Sequence, residues 1–205
     1  MKVFIQIGTN NGNDEFNSIV KYVCPDKIIL VEPNSSLTGF IASNYANIEN
    51  VYIENFAITT TTQGTVSLFM KNKLNLSGEN EMGIRYDGGF SLLPMDDWGD
   101  DLDEIRAESI SFDDLCKKHN VTNIRYLQID TEGFDAEIIK SIDFNKINID
   151  IIKYEKWNFS PHCFSRHGNK YMEYGLSGME SVEKLLKGKG YVLMEQQSDI
   201  IAIKL

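Results

Sequence analysis

The segment Val3-Phe4-Ile5-Gln6-Ile7-Gly8-Thr9-Asn10-Asn11-Gly12 constrains this chain more than any other, because an apolar run ending in a Gly-x-x-x-Gly turn opens a strand-loop-helix unit. Five residues rich in Val, Ile and Phe predict a buried strand. Phe16, Ile19, Val20 and Val23 follow at helical spacing, with Asn13 or Asp14 placed to cap the helix they predict. Glycines in such a turn let backbone approach a ligand where a side chain would collide, and the next helix is expected to aim free N–H groups there. The unit points to a nucleotide-type ligand.

The same alternation continues. Ile28 to Val31 predicts a second strand, and Asn34 a cap for a helix carrying Leu37, Phe40, Ile41 and Tyr45. A third strand is expected over Val51 to Ile58, followed beyond Gly64 by Val66 to Phe69. Strand-helix-strand-helix-strand predicts a parallel sheet covered on both faces. The pattern lapses over about 71–109 and resumes at Ser111, where Ser111-Phe112-Asp113-Asp114 opens a helix with a capping box. Ile124 to Ile129 and Ile149 to Tyr154 predict further strands, with a helix through Phe134, Ile138, Ile139 and Ile142 between them. A second irregular patch covers about 158–176. Last come Tyr191 to Glu195 and Ile200 to Ile203, two strands joined too closely for anything but an antiparallel hairpin.

With 205 residues and no Pro/Gly/Ser-rich divider, the chain is expected to be one domain, 1–205, with the two irregular patches as material for a substrate lid. No apolar run approaches the ~20 residues of a membrane span, and Met1 leads straight into a strand, so a cytoplasmic protein is expected. The net charge of -10 argues against a nucleic-acid partner, whose phosphates call for Lys and Arg. Cys24, Cys116 and Cys163 are odd in number and widely spaced, which predicts free thiols and no zinc. The acidic run Asp96 to Glu104 lacks the order of a calcium loop, so no metal is expected.

Two acidic constellations carry chemistry. Glu32, in Val31-Glu32-Pro33-Asn34, ends the second strand, where a carboxylate can accept hydrogen bonds from both hydroxyls of a ribose or simply face solvent at a helix entry. Asp130 and Glu132, in Leu127-Gln128-Ile129-Asp130-Thr131-Glu132-Gly133, stand at a strand's carboxyl end and are expected to face the crevice of Gly8 and Gly12; capping of the next helix by Asp130 or Thr131 is the structural alternative. Glu155 and Trp157 follow the fifth parallel strand toward the same edge. His162 and His167 lie in the second patch, each a candidate base or merely a solvated histidine.

Taken together, Ile5 to Gly12, Val31 to Asn34 and Ile129 to Gly133, with Ser111 to Leu115 leading into the last, resemble the FkbM-type methyltransferases in motif, order and spacing. The resemblance implies the three-layer α/β/α, Rossmann-like class I methyltransferase fold, whose mostly parallel seven-stranded sheet ends in an antiparallel hairpin. It implies S-adenosylmethionine as cofactor and O-methylation of a hydroxyl on a sugar, glycan or secondary metabolite. Gly8, Thr9, Asn10 and Gly12 would then pass under the methionine part, Glu32 with Pro33 would hold the ribose, and Asn55-Phe56-Ala57 would lie by the adenine. Many relatives carry an acid where this chain has Gln6, so contact with the cofactor's amino group there is neutral or moves to Asp14 or Asp130. The base that takes the acceptor's proton is expected to be Glu132 or Asp130, then Glu155, with His162 and His167 behind. Two other classes share parts of the pattern: an NAD-dependent oxidoreductase, which would favour Gly-x-Gly-x-x-Gly, and a non-catalytic methyltransferase-like binding module.

Overall fold

The computed structural model describes residues 1–71, 90–93, 102–156 and 176–205. Trp157, His162, Cys163 and His167, and the acidic run through Asp101, lie outside the described residues.

Seven strands form the main sheet: β1 (Val3–Ile7), β2 (Lys27–Val31), β3 (Val51–Glu54), β7 (Asn123–Ile129), β8 (Asn148–Glu155), β9 (Tyr191–Gln196) and β10 (Asp199–Lys204). Their order is β3-β2-β1-β7-β8-β10-β9. The first five are parallel, and β10 runs antiparallel to both β8 and β9. This is the seven-stranded sheet with a terminal hairpin that the sequence predicts. The chain leaves β1 toward β2 and returns on its other side as β7, so the carboxyl ends of β1 and β7 flank the point where strand order reverses.

Strand periodicity sorts the core into two faces. Val3, Ile5 and Ile7 of β1 pack with Leu127, Ile129, Phe112, Ile138 and Val182, beneath α3 (Phe112–Lys118), α4 (Asp135–Ser141) and α5 (Leu176–Gly188). Phe4 faces the other way, among Phe16, Val20, Leu30, Ile41 and Tyr126, beneath α1 (Glu15–Val23) and α2 (Thr38–Asn44). There Phe16 stacks on Tyr126 at 5.7 Å, and Phe4 meets Tyr126 edge-on at 5.5 Å.

The expected third strand divides at Asn55. Its first half, β3, closes the main sheet, while its second half becomes β4 (Phe56–Thr59) of a separate three-stranded sheet, ordered β4-β6-β5, with β5 (Gly64–Lys71) and β6 (Leu102–Ser111). At the break the Asn55 side-chain amide donates to the Glu32 carbonyl at 3.0 Å, where the main chain leaves the sheet. β6 also corrects the expectation of irregular chain to 109, since a strand begins at Leu102 and pairs along the whole of β5. It ends at Ser111, whose hydroxyl caps α3 by accepting from the Asp114 N–H at 3.1 Å. The reciprocal half of the capping box is relayed: the Ser111 N–H donates to the Thr62 hydroxyl, which donates to the Asp114 carboxylate.

Phe16 is fully buried at the centre of the α1 face. Phe16→Ala is expected to cost about 3–5 kcal/mol of stability in urea denaturation; a loss below about 1 kcal/mol would contradict this account of the core.

Candidate cofactor and active site

The glycine turn follows β1 directly, and four of its N–H groups are spent inside the protein. Those of Gly8 and Thr9 both donate to the Val31 carbonyl, at 3.0 and 3.1 Å, and that of Gly12 donates to the Thr9 carbonyl at 3.0 Å. The Asn10 N–H donates to Glu32 Oε2 at 2.7 Å, and the Asn34 N–H to Glu32 Oε1 at 2.9 Å. Asp14 caps α1, accepting from the Asn17 N–H at 3.0 Å. The N–H groups of Gly8, Thr9, Asn10, Gly12 and Asn17 are therefore engaged within the protein. Backbone carbonyls and carboxylates of this chain occupy those donors.

Gly8 and Gly12 are needed chiefly by the protein itself. Gly8 has φ +81°, and a Cβ built on it would stand 1.7 Å from the backbone oxygen of Asp130. The ends of β1 and β7 thus touch main chain to main chain, helped by the Asp130 N–H donating to the Ile7 carbonyl at 2.9 Å. Gly12 has φ +74°, and a Cβ built on it would stand 3.2 Å from the Tyr45 ring and 3.4 Å from the Ile41 α-carbon in the α2 layer.

Around that contact opens a cleft with about 750 Å³ of empty space, its open mouth included. Gly8, Asn10, Glu32, Pro33, Phe56, Ala57, Asp130 and Glu132 line it. Ile58, Leu68, Phe90 and Leu92 of the second sheet and its neighbouring segment complete an apolar wall, with Leu37 and Asn34 by Glu32. Among the described residues the lining holds three carboxylates and no Lys, Arg or His.

The remaining candidates stand behind this lining. Gln6 is buried on the α1 face, its Nε2 donating to Asp14 Oδ2 at 2.5 Å; its Oε1 has no hydrogen-bond partner among the described residues. Thr9 is buried with its hydroxyl similarly unpartnered. Asn55 ties the end of β2 to Thr38. Glu155 ends β8 outside the lining.

Gln6 belongs to a buried polar row. It lies in register with Gln128 of β7, and Gln128 with Lys153 of β8. Gln128 accepts from the Tyr126 hydroxyl at 3.2 Å, and Lys153 donates to Glu15 at 2.5 Å and pairs with Asp199 at 2.9 Å. Burial opposes the charge of Lys153, but its two carboxylate partners outweigh it and raise the ammonium's pKa.

Carboxylates crowd the ends of β7 and β8. Burial is the main cause that raises Glu32, partly offset by the N–H groups of Asn34 and Asn10. Asp130 is held well above the usual carboxylate range, first by its depth in the cleft and then by the charges of Asp135, Glu132, Glu155 and Asp199, although part of the residue is exposed at the cleft's surface. Asp135 is fully buried and pushed up to about 6; it accepts from the Thr131 hydroxyl at 3.1 Å. Burial, then Glu132, Asp135 and Asp199, push Glu155 up to about 8. Glu132 itself is left-handed at φ 53°, followed by Gly133 at φ 112°.

Sequence reasoning missed the wall formed by Leu68, Phe90 and Leu92. The isolated apolar residues Phe90, Leu92 and Leu93 within a polar stretch were the available signal, but nothing local says which strand they meet.

The order of the sheet, its terminal hairpin and an acid-lined cavity at the switch point define a class I, Rossmann-like methyltransferase. The model of the methyltransferase FkbM domain matches residues 6–193, and this chain belongs to that family, whose methyl donor is S-adenosylmethionine. Among solved structures it is similar to the O-methyltransferase TomG from Streptomyces achromogenes, at 8% identity and TM-score 0.50 over 100% of this chain and 74% of that one. An O-methyltransferase from Bacillus cereus shares 10% identity at TM-score 0.49, covering 99% of this chain and 74% of that one. Fibrillarin in its complex with Nop5p shares 10% at TM-score 0.49, covering 100% and 73%. At such identities the likeness to TomG speaks for the fold alone. No curated protein matches the chain.

Two measurements check this geometry. Gly64 has φ +84° with nothing within 4 Å of its would-be Cβ, so Gly64→Ala bears conformational strain alone, about 1–2 kcal/mol. Gly8→Ala must in addition displace the Asp130 carbonyl and is expected to lower the melting temperature further; equal losses would refute the contact. Glu155 is raised in the fold, so its neutral form is the favoured one, and the stability this gives is lost as pH rises from the ordinary carboxylate range through about 8. Glu155→Gln should therefore melt higher than the parent above about pH 8, and the gap should close below about pH 4.

Proposed function

We propose that this chain transfers the methyl group of S-adenosylmethionine to a hydroxyl oxygen of a sugar, glycan or secondary metabolite. The observation that carries this reading is the cavity's lining: carboxylates at both ends, apolar walls between them, and no cationic side chain among the described residues. The cofactor has a ribose diol, a flat adenine, a cationic sulfonium and an ammonium group, and the residues fit each.

Glu32 accepts from the ribose hydroxyls with lone pairs left over from the Asn10 and Asn34 N–H groups, while Pro33 supports it. Phe56 and Ala57 lie against the adenine, just past the Asn55 bond where the chain leaves the main sheet. Gly8, Thr9, Asn10 and Gly12 shape the floor beneath the methionine part. Asp130 faces the ammonium, and Gln6 and Asp14 brace the floor from behind. Bound there, the cofactor supplies an electrophilic methyl group on sulfur.

The chain's own task is to align the acceptor oxygen, exclude water and remove a proton. Glu132 or Asp130, both lining the cavity, takes that proton, or Glu155, at the end of β8, serves as base itself. A carboxylate raised above its ordinary pKa is a better base for a hydroxyl than an ordinary one. The NAD-dependent alternative fares worse, since a pyrophosphate would meet carboxylates and a turn in which the N–H groups of Gly8, Thr9, Asn10 and Gly12 are already engaged. The net charge of -10 likewise favours a neutral or cationic acceptor over nucleic acid.

Calorimetry with S-adenosylmethionine, S-adenosylhomocysteine and NAD tests the cofactor. The first two are expected to bind and NAD not, and Glu32→Ala should weaken binding about tenfold or more. Binding of NAD alone would overturn the reading. Incubation with hydroxylated and amine acceptors, analysed by mass spectrometry, is expected to give methyl ethers, with a rate that falls as pH drops below the raised carboxyl range; methylation on nitrogen alone would defeat the O-transfer assignment.

A further inference from the structure

Ser91 is completely buried, between two residues, Phe90 and Leu92, that line the cavity. Both pack on the small core of Ala57, Leu68 and Ala107. The Ser91 backbone exchanges two hydrogen bonds with Phe69 of β5, each 2.8 Å. Its hydroxyl accepts from the Leu93 N–H at 3.0 Å and donates to the Glu132 carbonyl at 2.9 Å. Every polar group of this residue is used, and the bonds lead to three separate places: the second sheet, the segment 90–93, and the turn after β7.

That last bond matters because Glu132 is in the left-handed region and Gly133 follows at φ 112°. A non-glycine residue stays there when its surroundings over-determine it. Here the restraints are Ser91 on the Glu132 carbonyl and Asp135 on Thr131.

We infer that Ser91 is a positioning residue of the cofactor cavity, a clasp that holds Phe90 and Leu92 in its wall and fixes that wall to the Glu132 turn. The inference rests on the reading that this cavity takes the S-adenosyl group. A wall held this way is preformed when the ligand arrives. Removing the hydroxyl leaves the Glu132 carbonyl and the Leu93 N–H without their partner and lets the wall move.

Calorimetry with S-adenosylhomocysteine, on Ser91→Ala, Leu92→Ala, the double variant and Glu32→Ala, reads this directly and needs no acceptor. Ser91→Ala is expected to raise Kd about tenfold, the loss of roughly one hydrogen bond. The loss in the double variant should be smaller than the sum of the two single losses, because part of the clasp acts through the residue already removed. A serine that merely stabilises the fold would lower the melting temperature of the unliganded chain and leave Kd unmoved, which would overturn the inference, as would additive effects in the double variant.

If Glu32→Ala weakens binding and Ser91→Ala does not, the inference fails and the cavity assignment stands. If neither does, the cavity assignment fails and takes the inference with it. Hydrogen exchange on the unaltered protein gives an answer even if Ser91→Ala does not fold. S-adenosylhomocysteine should slow exchange at Phe69 and Ser91 together with the turn from Gly8 and the Glu32 region; protection confined to the latter would overturn the clasp.

Discussion

The backbone contact between Gly8 and Asp130 is the constraint on which the rest of the site depends. No Cβ fits between the Gly8 α-carbon and the Asp130 carbonyl, so the two strand ends are closer than any other residue at position 8 would allow. Because of that closeness, the turn after β1 and the turn after β7 share one cavity, and Glu32, Asp130 and Glu132 line it together. The glycine is therefore written into the sequence by the neighbouring strand. Its service to a ligand is indirect, through the cavity that the contact creates.

A second consequence concerns which ligands the cavity can hold. In sites built for phosphate, the N–H groups of a glycine turn and a helix end are left for the ligand. Here Val31, Thr9, Glu32 and Asp14 take those of Gly8, Thr9, Asn10, Gly12 and Asn17. What faces the cavity is acceptor capacity and negative charge, which suits hydroxyls and cations. A turn that looks alike in two sequences can thus have opposite electrical character, decided by whether a carboxylate such as Glu32 reaches back into it.

The main sheet was legible because its strands obey simple patterns: full burial for β1 and β2, and a connection too short for a crossover between β9 and β10. The second sheet was hidden. Val51 to Ile58 reads as one strand because both halves are rich in β-formers, and only the Asn55 bond to Glu32, a contact distant in sequence, reveals the break. β6 is masked by its charges, with Asp103, Glu104, Arg106 and Glu108 interrupting Leu102, Ile105, Ala107 and Ile110. The acids at 32, 130 and 132 could be singled out from position at strand ends, whereas the bridge between Phe69 and Ser91 depends on pairing across an intervening segment that carries no periodic signal. Gln6 was recognised as a departure from the family pattern; its membership of a row with Gln128 and Lys153 required the register.

That row has a consequence for how the chain finds its fold. Parallel strands rich in Ile, Leu and Val can slide against one another with little loss of apolar contact, and such sheets form slowly. Gln6, Gln128 and Lys153 make sliding expensive: a slip of one residue in β8 would turn Lys153 into the packed face of Ile152 and Tyr154, and a slip of two would carry it away from Glu15 and Asp199. Buried polar groups stabilise less than the hydrophobic residues that could replace them, yet they distinguish one alignment from its neighbours. The row acts as an indexing notch, and the alignment it selects is the one that sets Asp130 against Gly8.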